Sequence, residues 1–281
     1  MTAHAARGRY VKGPSAFGSD RKRFWHLTFT LAITDFKLRF FGSVLGYLWQ
    51  LMRPLLLFGV LYIVFTEFVR LGAGVPHYPV VLLTSIVLFT FFVEATGGAV
   101  TSVLDRENLV RKIEFPRLVI PLTVIVNAYL NLALNFLAVL VFMLASGVEP
   151  RLSWLELPLL IAILGVFATG IALLLSALYV RFRDIKPIWE VLSQVVFYGS
   201  PVLYAIENVP NEKYQHLIMC NPLAAILEQV RHAVIDPGAP SAAAAIGGGE
   251  RLLIPAALVA GLFVLGLWVF NREAPRIAEE L

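Results

Sequence analysis

The sequence predicts an all-α integral membrane protein with six transmembrane helices, an amphipathic helix before the first, and two short helices between spans five and six. Of its 281 residues, 58% are hydrophobic and only 15% are charged, whereas soluble domains carry about 25% charged residues. A span needs roughly 20 mainly apolar residues, and the apolar runs provide six candidates. These are residues 51–70, 80–103, 118–147, 153–180, 187–204 and 252–270.

The segment before the first span divides into two parts. Residues 1–19 are polar and basic, which predicts a flexible cytoplasmic N-terminus. Residues 20–46 mix aromatic and aliphatic residues with Arg, Lys and Asp too often for a span. That mixture is typical of a helix in the membrane interface, with its apolar side in lipid and its basic side among headgroups. A simple juxtamembrane anchor is the alternative interpretation.

The distribution of positive charge predicts the orientation. If the N-terminus is cytoplasmic, the inside segments hold 18 of the 23 Lys and Arg residues. Such a bias places both termini in the cytoplasm, including the C-terminal residues 272–281. The basic patches therefore indicate orientation and contact with anionic lipid, and not nucleic-acid binding.

The loop between the second and third spans predicts a short charged helix. Asp105 is a favourable N-cap, acidic residues come early, and Pro116 ends the run. The expected helix, Asp105–Glu114, has about two turns and lies against the membrane.

The chain after the fourth span changes character. Pro187 suits the first turn of the fifth span, where a missing N–H has no cost. Residues 211–220 and 222–235 then form two helical patterns that are too short for spans and suit re-entrant or interfacial segments. The Ala- and Gly-rich residues 241–249 predict a flexible external connector.

Polar residues within the apolar runs form two groups. Thr123, Asn127, Asn131 and Asn135 recur every four residues and so share one helix face; they are interpreted as interhelical hydrogen-bonding groups, with a substrate site as the alternative. Glu94 lies within the second span, where an ionisable group is by default a functional hypothesis. A buried structural network and a water-filled cavity remain equally open for it.

The fifth span predicts a polar and aromatic face. Glu190, Gln194, Phe197 and Tyr198 follow helical spacing, and sugar rings stack their C–H faces on aromatic rings. The interfacial aromatic belt is the alternative, especially at span ends. The candidate substrate pathway comprises Tyr47, Trp49, Tyr62, Trp189, Glu190, Gln194, Phe197, Tyr198 and Tyr204.

A basic cluster separates spans four and five. Arg181 and Arg183 are candidates for binding lipid headgroups or a pyrophosphate, since the guanidinium fork suits phosphate. Asp184 is expected to hold Arg183 in place. Plain positive-inside anchoring is the alternative.

Several classes of site are absent from the sequence. The single Cys220 excludes an intrachain disulfide and a cysteine-based metal site. No phosphate-binding loop of the form G-x-x-x-x-G-K-[ST] occurs. The five histidines are scattered and no paired acidic motif appears, which argues against a membrane-embedded transferase acting on a polyprenyl-linked sugar. No catalytic or metal-ligating residue is predicted.

Three segments together resemble the ABC-2 type permeases that export polysaccharides and polyol-phosphate polymers, such as the O-antigen, capsule and teichoic-acid exporters. They are residues 46–55 (GYLWQLMRPL), residues 108–122 (NLVRKIEFPRLVIPL), and YVRFRDI with the later GSPVLY and NPLAAILEQVR. The resemblance covers about residues 25–270. The longer polar N-terminus and the connector 238–249 depart from the family pattern.

The resemblance implies a transmembrane subunit of the cytoplasmic membrane without its own ATPase site. It implies a transmembrane domain over residues 47–271, a second copy of the chain, and two ATPase subunits that hold ATP and Mg²⁺. The substrate would be a lipid-linked glycan passing between the two permeases, with membrane lipid around them and no nucleic acid. The interface helix and a coupling helix would contact the ATPase, and two gate helices would cap the exit. The implied coupling residues are Asp105, Arg106, Glu107, Asn108, Arg111, Lys112 and Glu114.

Three other functions remain as alternatives. An ABC-2 exporter of a small lipid or drug has the same architecture. A passive channel around Glu94 needs no ATPase, and it stands as low as the membrane-embedded transferase.

Overall fold

The protein is built from helices, and the described residues contain no strand. The computed structural model describes residues 21–40, 44–70, 72, 74–107 and 116–274. Its helices are α1 (Arg21–Phe40), α2 (Val44–Ile63), α3 (Tyr78–Asp105), α4 (Val119–Ala145), α5 (Glu156–Arg181), α6 (Ile185–Tyr198), α7 (Glu212–Met219), α8 (Pro222–Val230), α9 (Ala242–Ala245) and α10 (Leu253–Glu273). Single π-helical turns follow α2 at Val64–Phe68 and α8 at Arg231–Ile235.

Five helical segments among the described residues are long and apolar enough to cross a membrane. They are Leu48–Phe68, Tyr78–Asp105, Val119–Ala145, Leu152–Arg181 and Gly249–Glu273. They agree with five of the six spans expected from the apolar runs. The all-α membrane fold is therefore confirmed.

The sixth expected span, residues 187–204, is different in the structure. Its helix, α6, has 14 residues and a length of about 21 Å at 1.5 Å per residue. The hydrocarbon core of a bilayer is about 30 Å thick. Pro201 accounts for the early end, because it supplies no N–H and disfavours helical geometry at the residue before it. A spanning helix over 187–204 is thus not observed, and the count of six spans stays a prediction.

The centre of the bundle is α3, which packs against α4 and α5. Its Phe92 ring stacks on Phe167 of α5 at 5.4 Å and lies 6.1 Å from the Trp189 ring of α6. By contrast, almost none of the described apolar side chains of α2 is fully buried, and about half of them are exposed. The bundle therefore has one buried central helix and a peripheral first span.

The helix α10 packs closely on α5 at a crossing between two glycines. A Cβ atom on Gly170 would lie 2.6 Å from the backbone nitrogen of Phe263, and one on Gly266 would overlap the carbonyl oxygen of Gly170. Small residues at such crossings let two backbones approach in a membrane, where van der Waals packing drives helix association.

A side chain at this crossing is expected to destabilise the bundle. Gly266→Val forces the helices apart, at a cost of about 1–3 kcal/mol as for other overpacked sites. Thermal unfolding of the detergent-solubilised protein measures the loss. The matched control is Gly261→Val on the same helix, where a Cβ meets nothing within 4 Å. Equal melting temperatures for the two variants would contradict the proposed close contact.

The helix α1 packs across one end of the bundle. Phe24, Thr28 and Ala32 form its buried face. Phe24 belongs to a cluster of buried side chains from the ends of α3, α4, α5 and α10. Trp25 and Phe29, on another side of α1, are each 49% exposed. The expected helix is present over Arg21–Phe40, and its small and apolar buried face contacts protein.

The opposite end of the bundle carries a helical cap, residues 206–252. Asn211 and Asn221 cap α7 and α8, and each side-chain oxygen accepts a hydrogen bond from the backbone N–H two residues later. Two short helices are thus present after Pro201, and their expected role as re-entrant gate helices stays a prediction. The connector, however, was expected to be flexible, and this was wrong. Ser241 caps α9, and Ala242 and Ala245 pack in a buried cluster with Met219 and Ile246.

Candidate functional site

The expected coupling segment lies only partly within the described residues. Asn108, Arg111, Lys112 and Glu114 lie outside them. Asp105 is the last residue of α3, and its carboxylate accepts a hydrogen bond from Thr101 Oγ1 at 2.8 Å. Its expected role as an N-cap was therefore wrong, because the helix of the second span continues through it.

Arg106 links α3 to α1. Its guanidinium forms an ion pair and a hydrogen bond with the carboxylate of Asp35. The two side chains are 23% and 36% exposed. Arg106, directly after the second span, is thus held against α1. The ion pair joins α1 to the segment that begins at residue 105, and both of these elements are expected at the ATPase interface.

A polar cavity of about 810 Å³ lies between α2, α3 and α4. It falls within the size range of ligand pockets, about 300–1,000 Å³. Asp35, Asp105 and Arg106 place one side of it at the α1 end of the bundle. Its lining residues are Asp35, Gly46, Trp49, Gln50, Arg53, Glu94, Gly98, Ser102, Asp105, Arg106, Val124, Asn127, Ala128 and Asn131.

Glu94 lies in the wall of this polar cavity and is held by two amides. Gln50 Nε2 donates to one carboxyl oxygen at 3.2 Å, and Asn131 Nδ2 donates to the other at 2.9 Å. These contacts join α2, α3 and α4 through one side chain. The two interpretations left open by the sequence therefore coincide, since Glu94 belongs to a hydrogen-bond network and also lines a cavity.

The polar stripe on α4 is buried. Thr123, Asn127, Asn131 and Asn135 are all at least 92% buried. Asn131 bonds to α3 through Glu94, while Asn135 Nδ2 donates to the Asn131 carbonyl at 2.9 Å. The side-chain oxygens of Asn127 and Asn131 have no hydrogen-bond donor. The stripe supplies an interhelical bond at one position and leaves two buried acceptors free beside the cavity.

The aromatic residues assigned to a substrate pathway separate into packed and exposed groups. Trp189 is buried, Tyr62 stacks on Phe58 at 5.7 Å, and Phe197 packs edge-on against Phe89 at 4.8 Å. Tyr204 is half-buried, and its hydroxyl lies 3.5 Å from the Tyr198 carbonyl oxygen. The side chain of Tyr47 lies outside the described residues.

The exposed members of the set belong to two different surfaces. Trp49, which is 61% exposed, lines the polar cavity. Glu190, Gln194 and Tyr198 are exposed along α6. The structure therefore does not gather the nine residues into one lining, although Tyr198 with Glu190 and Gln194 keeps the expected face.

The basic cluster between α5 and α6 is exposed. The guanidinium of Arg183 lies 5.2 Å from the centre of the Tyr179 ring, and that of Arg181 lies 5.5 Å from the Phe182 ring. Arg183 thus contacts an aromatic face, and no ion pair between it and Asp184 occurs in this described segment. The expected role of Asp184 stays a prediction, since the contact of this guanidinium in the structure is with the Tyr179 ring one turn earlier.

A buried ion cluster in the cap was not identified from the sequence. Arg231, in the π-turn after α8, binds Glu207 through both terminal nitrogens at 2.7 and 3.0 Å. It also bonds to Glu228 at 3.2 Å and lies 3.9 Å from Asp236. Burial raises the pKa of Glu228 to about 7, although Arg231 acts in the opposite direction. Three carboxylates thus surround one guanidinium at the cap.

The cap is expected to lose stability as the pH rises through about 7. Because the folded pKa of Glu228 exceeds its usual value of 4.5, the folded state binds the proton more tightly than the unfolded state. The contribution of protonated Glu228 to the stability of the cap is fully present below about pH 4.5 and is lost as the pH rises through about 7. Hydrogen exchange of residues 222–235 across this range measures it. Glu228→Gln should flatten the profile, whereas Glu212→Gln, an exposed control in α7, should keep it. A profile unchanged by Glu228→Gln would contradict the assignment.

Sequence reasoning missed Gln50, Arg53 and Asp35 as cavity residues, and Arg231 and Glu228 as a buried pair. A usable signal existed for the pair, since a Glu and an Arg three residues apart share a helix face. No local sequence pattern indicates that α1 packs against the end of α3, so Asp35 could not be assigned to the cavity.

Comparisons with known proteins agree with this architecture. A model of the ABC-2 type transporter family matches residues 26–235. The O-antigen export system permease protein RfbA of Klebsiella pneumoniae is 30% identical over 250 residues, covering 88% of this chain and 92% of the relative. The protein of the same name from Myxococcus xanthus is 27% identical over 256 residues, covering 91% and 95%. The polysialic acid transport protein KpsM of Escherichia coli is 24% identical over 213 residues, covering 74% and 80%.

Proposed function

We propose, from the premise that the chain belongs to the ABC-2 type transporter family, that it is the transmembrane subunit of an exporter that moves a lipid-linked polysaccharide across the cytoplasmic membrane. The observation that carries this is the match along 88% of the chain to a relative named as an O-antigen export permease. The region matched by the family model, residues 26–235, includes α2, α3 and α4, which form the polar cavity.

The export-competent unit is a dimer of this chain. Two helices support the proposal because they leave extensive apolar surface uncovered. Leu56, Val60 and Ile63 of α2 are at least 50% exposed, as are Val191 and Val195 of α6. A second copy would cover part of these surfaces, and lipid would cover the rest.

Energy comes from two copies of a separate ABC ATPase, which hold ATP and Mg²⁺. Both termini are cytoplasmic in this proposal, so the α1 end of the bundle faces the ATPase. The exposed side chains Trp25 and Phe29 of α1 and the segment 105–114 supply the contact surface. The ion pair between Asp35 and Arg106 connects these two elements, which supports a common response to the ATPase.

One side of the polar cavity reaches this same end through Asp35, Asp105 and Arg106, which suits entry of a hydrophilic polymer from the cytoplasm. The cap at the opposite end closes the exit. The carboxyl, amide and guanidinium groups lining this cavity can form hydrogen bonds with the hydroxyl groups of a glycan, which supports a glycan substrate.

Deletion of the gene tests the proposed function. The expected result is loss of one surface glycan, with the corresponding lipid-linked glycan retained inside the cell, and restoration by the intact gene. A tagged copy should purify with an ABC ATPase. An unchanged set of surface glycans, together with altered export of a small lipid or drug, would contradict the proposal in favour of the alternative substrate.

A further inference from the structure

We infer that the polar cavity between α2, α3 and α4 is a binding site for a neutral, hydroxyl-rich segment of the glycan, with Glu94, Asn127, Asn131, Gln50 and Trp49 as its contact residues. The inference rests on the proposed function and adds a location and a chemistry to it.

The side chains lining the cavity suit sugar hydroxyl groups. Gln50 and Asn131 present amides, and Glu94 presents a carboxyl group whose two oxygens already align with them. Hydroxyl groups both donate and accept hydrogen bonds, and amides do the same through separate atoms. Trp49 adds an exposed aromatic surface at the cavity, on which an apolar C–H face of a sugar ring can stack.

Two buried acceptors lack a donor. Asn127 is 8% exposed and Asn131 is 2% exposed, and the side-chain oxygen of each has no hydrogen-bond partner. Both residues line the cavity. Leaving a buried acceptor unpaired is unfavourable by about 1–3 kcal/mol. Both oxygens have almost no accessible surface, so a hydroxyl donor pairs with them only when the side chain turns towards the cavity.

The charges disfavour an anionic ligand. Asp35, Glu94 and Asp105 supply three carboxyl groups to the lining, whereas Arg53 and Arg106 supply two guanidinium groups. One of those guanidinium groups is already paired with Asp35. Among the described lining residues, with the Asp35–Arg106 pair set aside, two carboxyl groups remain against one guanidinium group, so a phosphate or pyrophosphate is less favoured there than a neutral sugar segment.

Protection of a single cysteine tests the site in the intact transporter. The only native cysteine, Cys220, is replaced by Ser, and Val124→Cys places a thiol in the cavity wall. The transporter is held with a hydrolysis-deficient ATPase partner, and maleimide labelling is compared in two kinds of membranes. One contains the cell's own lipid-linked glycan, and the other comes from cells that cannot add the first sugar to the lipid carrier.

Labelling of Val124→Cys is expected to be several-fold slower in membranes that contain the glycan. A matched thiol at Leu152→Cys, in the exposed loop before α5, should label equally in both. Equal labelling of Val124→Cys in the two membranes would overturn the inference. Equally slow labelling of Val124→Cys in both membranes, relative to the Leu152→Cys thiol, would also overturn the inference, because the headgroup of the lipid carrier would then occupy the cavity.

Asn127→Leu separates a binding role from a structural one. The Asn127 side-chain oxygen is unpaired, and replacing an unsatisfied buried group by an apolar one of similar shape is neutral or stabilising. The variant should therefore melt no lower than the parent protein and yet lose the protection of Val124→Cys. Retained protection would overturn the assignment of Asn127. If the parent protein exports the glycan normally but the glycan does not slow labelling of Val124→Cys, the binding site is refuted and the proposed function is not. If deletion of the gene changes no surface glycan, the proposed function itself is refuted.

Discussion

Replacing Arg106 with aspartate is expected to reduce glycan export about ten-fold, within the range of ordinary coupling energies, and adding Asp35→Arg is expected to restore it. In the structure, Arg106 and Asp35 form the ion pair between the end of α3 and α1. The single change places two carboxylates together and separates α1 from the start of the expected coupling segment. The exchange returns opposite charges to the same positions.

We expect export to fall because motion is no longer transmitted from the ATPase, and not because the protein misfolds. A partly exposed ion pair contributes only about 0.2–1 kcal/mol to stability, and α1 keeps its buried contacts through Phe24, Thr28 and Ala32. The Arg106→Asp transporter should therefore reach the membrane and bind its ATPase, while ATP hydrolysis continues without proportional export. Export and ATP hydrolysis are measured together in membrane vesicles.

Arg272→Asp is the control for this charge reversal. Arg272 lies in the last turn of α10, at the same end of the bundle, and contacts the Trp268 ring at 5.4 Å. The control should retain most export. If the exchange of Asp35 and Arg106 exports no better than Arg106→Asp alone, the pair does not transmit the motion.

The sequence predicts the spans well because membrane solvation acts on each segment separately. A run of apolar residues near 20 in number is favourable in lipid whatever surrounds it. The same holds for the N-caps Asn211 and Asn221, whose hydrogen bonds are made within two residues. Local rules therefore recover α2–α5, α10 and the two cap helices.

Longer-range contacts account for what the sequence did not predict. Asp105 matches the local pattern of an N-cap, yet packing of α3 in the bundle centre extends that helix through it. Glu94 meets Gln50 from 44 residues away and Asn131 from 37 residues away. No local pattern contains those separations, so the cavity becomes visible only in the folded chain.

Phe197 and Tyr198 illustrate the same limit on one helix. The spacing along α6 placed both in the substrate pathway, but the structure gives them different surroundings. Phe197 is half-buried against Phe89 at 4.8 Å, whereas Tyr198 is 68% exposed. The neighbouring helix α3 decides this difference, since it covers one side of α6.

The two residues are therefore expected to respond in opposite ways to substitution. Phe197→Ala removes a packed ring and should lower the thermal stability by about 1–3 kcal/mol, within the usual range for point substitutions. Tyr198→Ala should leave the melting temperature unchanged and slow glycan export several-fold, because it removes an exposed aromatic surface beside Gln194. Tyr198→Phe should export nearly normally if the ring stacks on sugar.

Val195→Ala provides the comparison for exposure alone, since Val195 is 61% exposed on the same helix and lacks an aromatic ring. It should affect neither stability nor export by much. Normal export by Tyr198→Ala would remove this face of α6 from the pathway and leave the polar cavity as its remaining candidate. A stability loss in Tyr198→Ala as large as that in Phe197→Ala would instead assign both rings to packing.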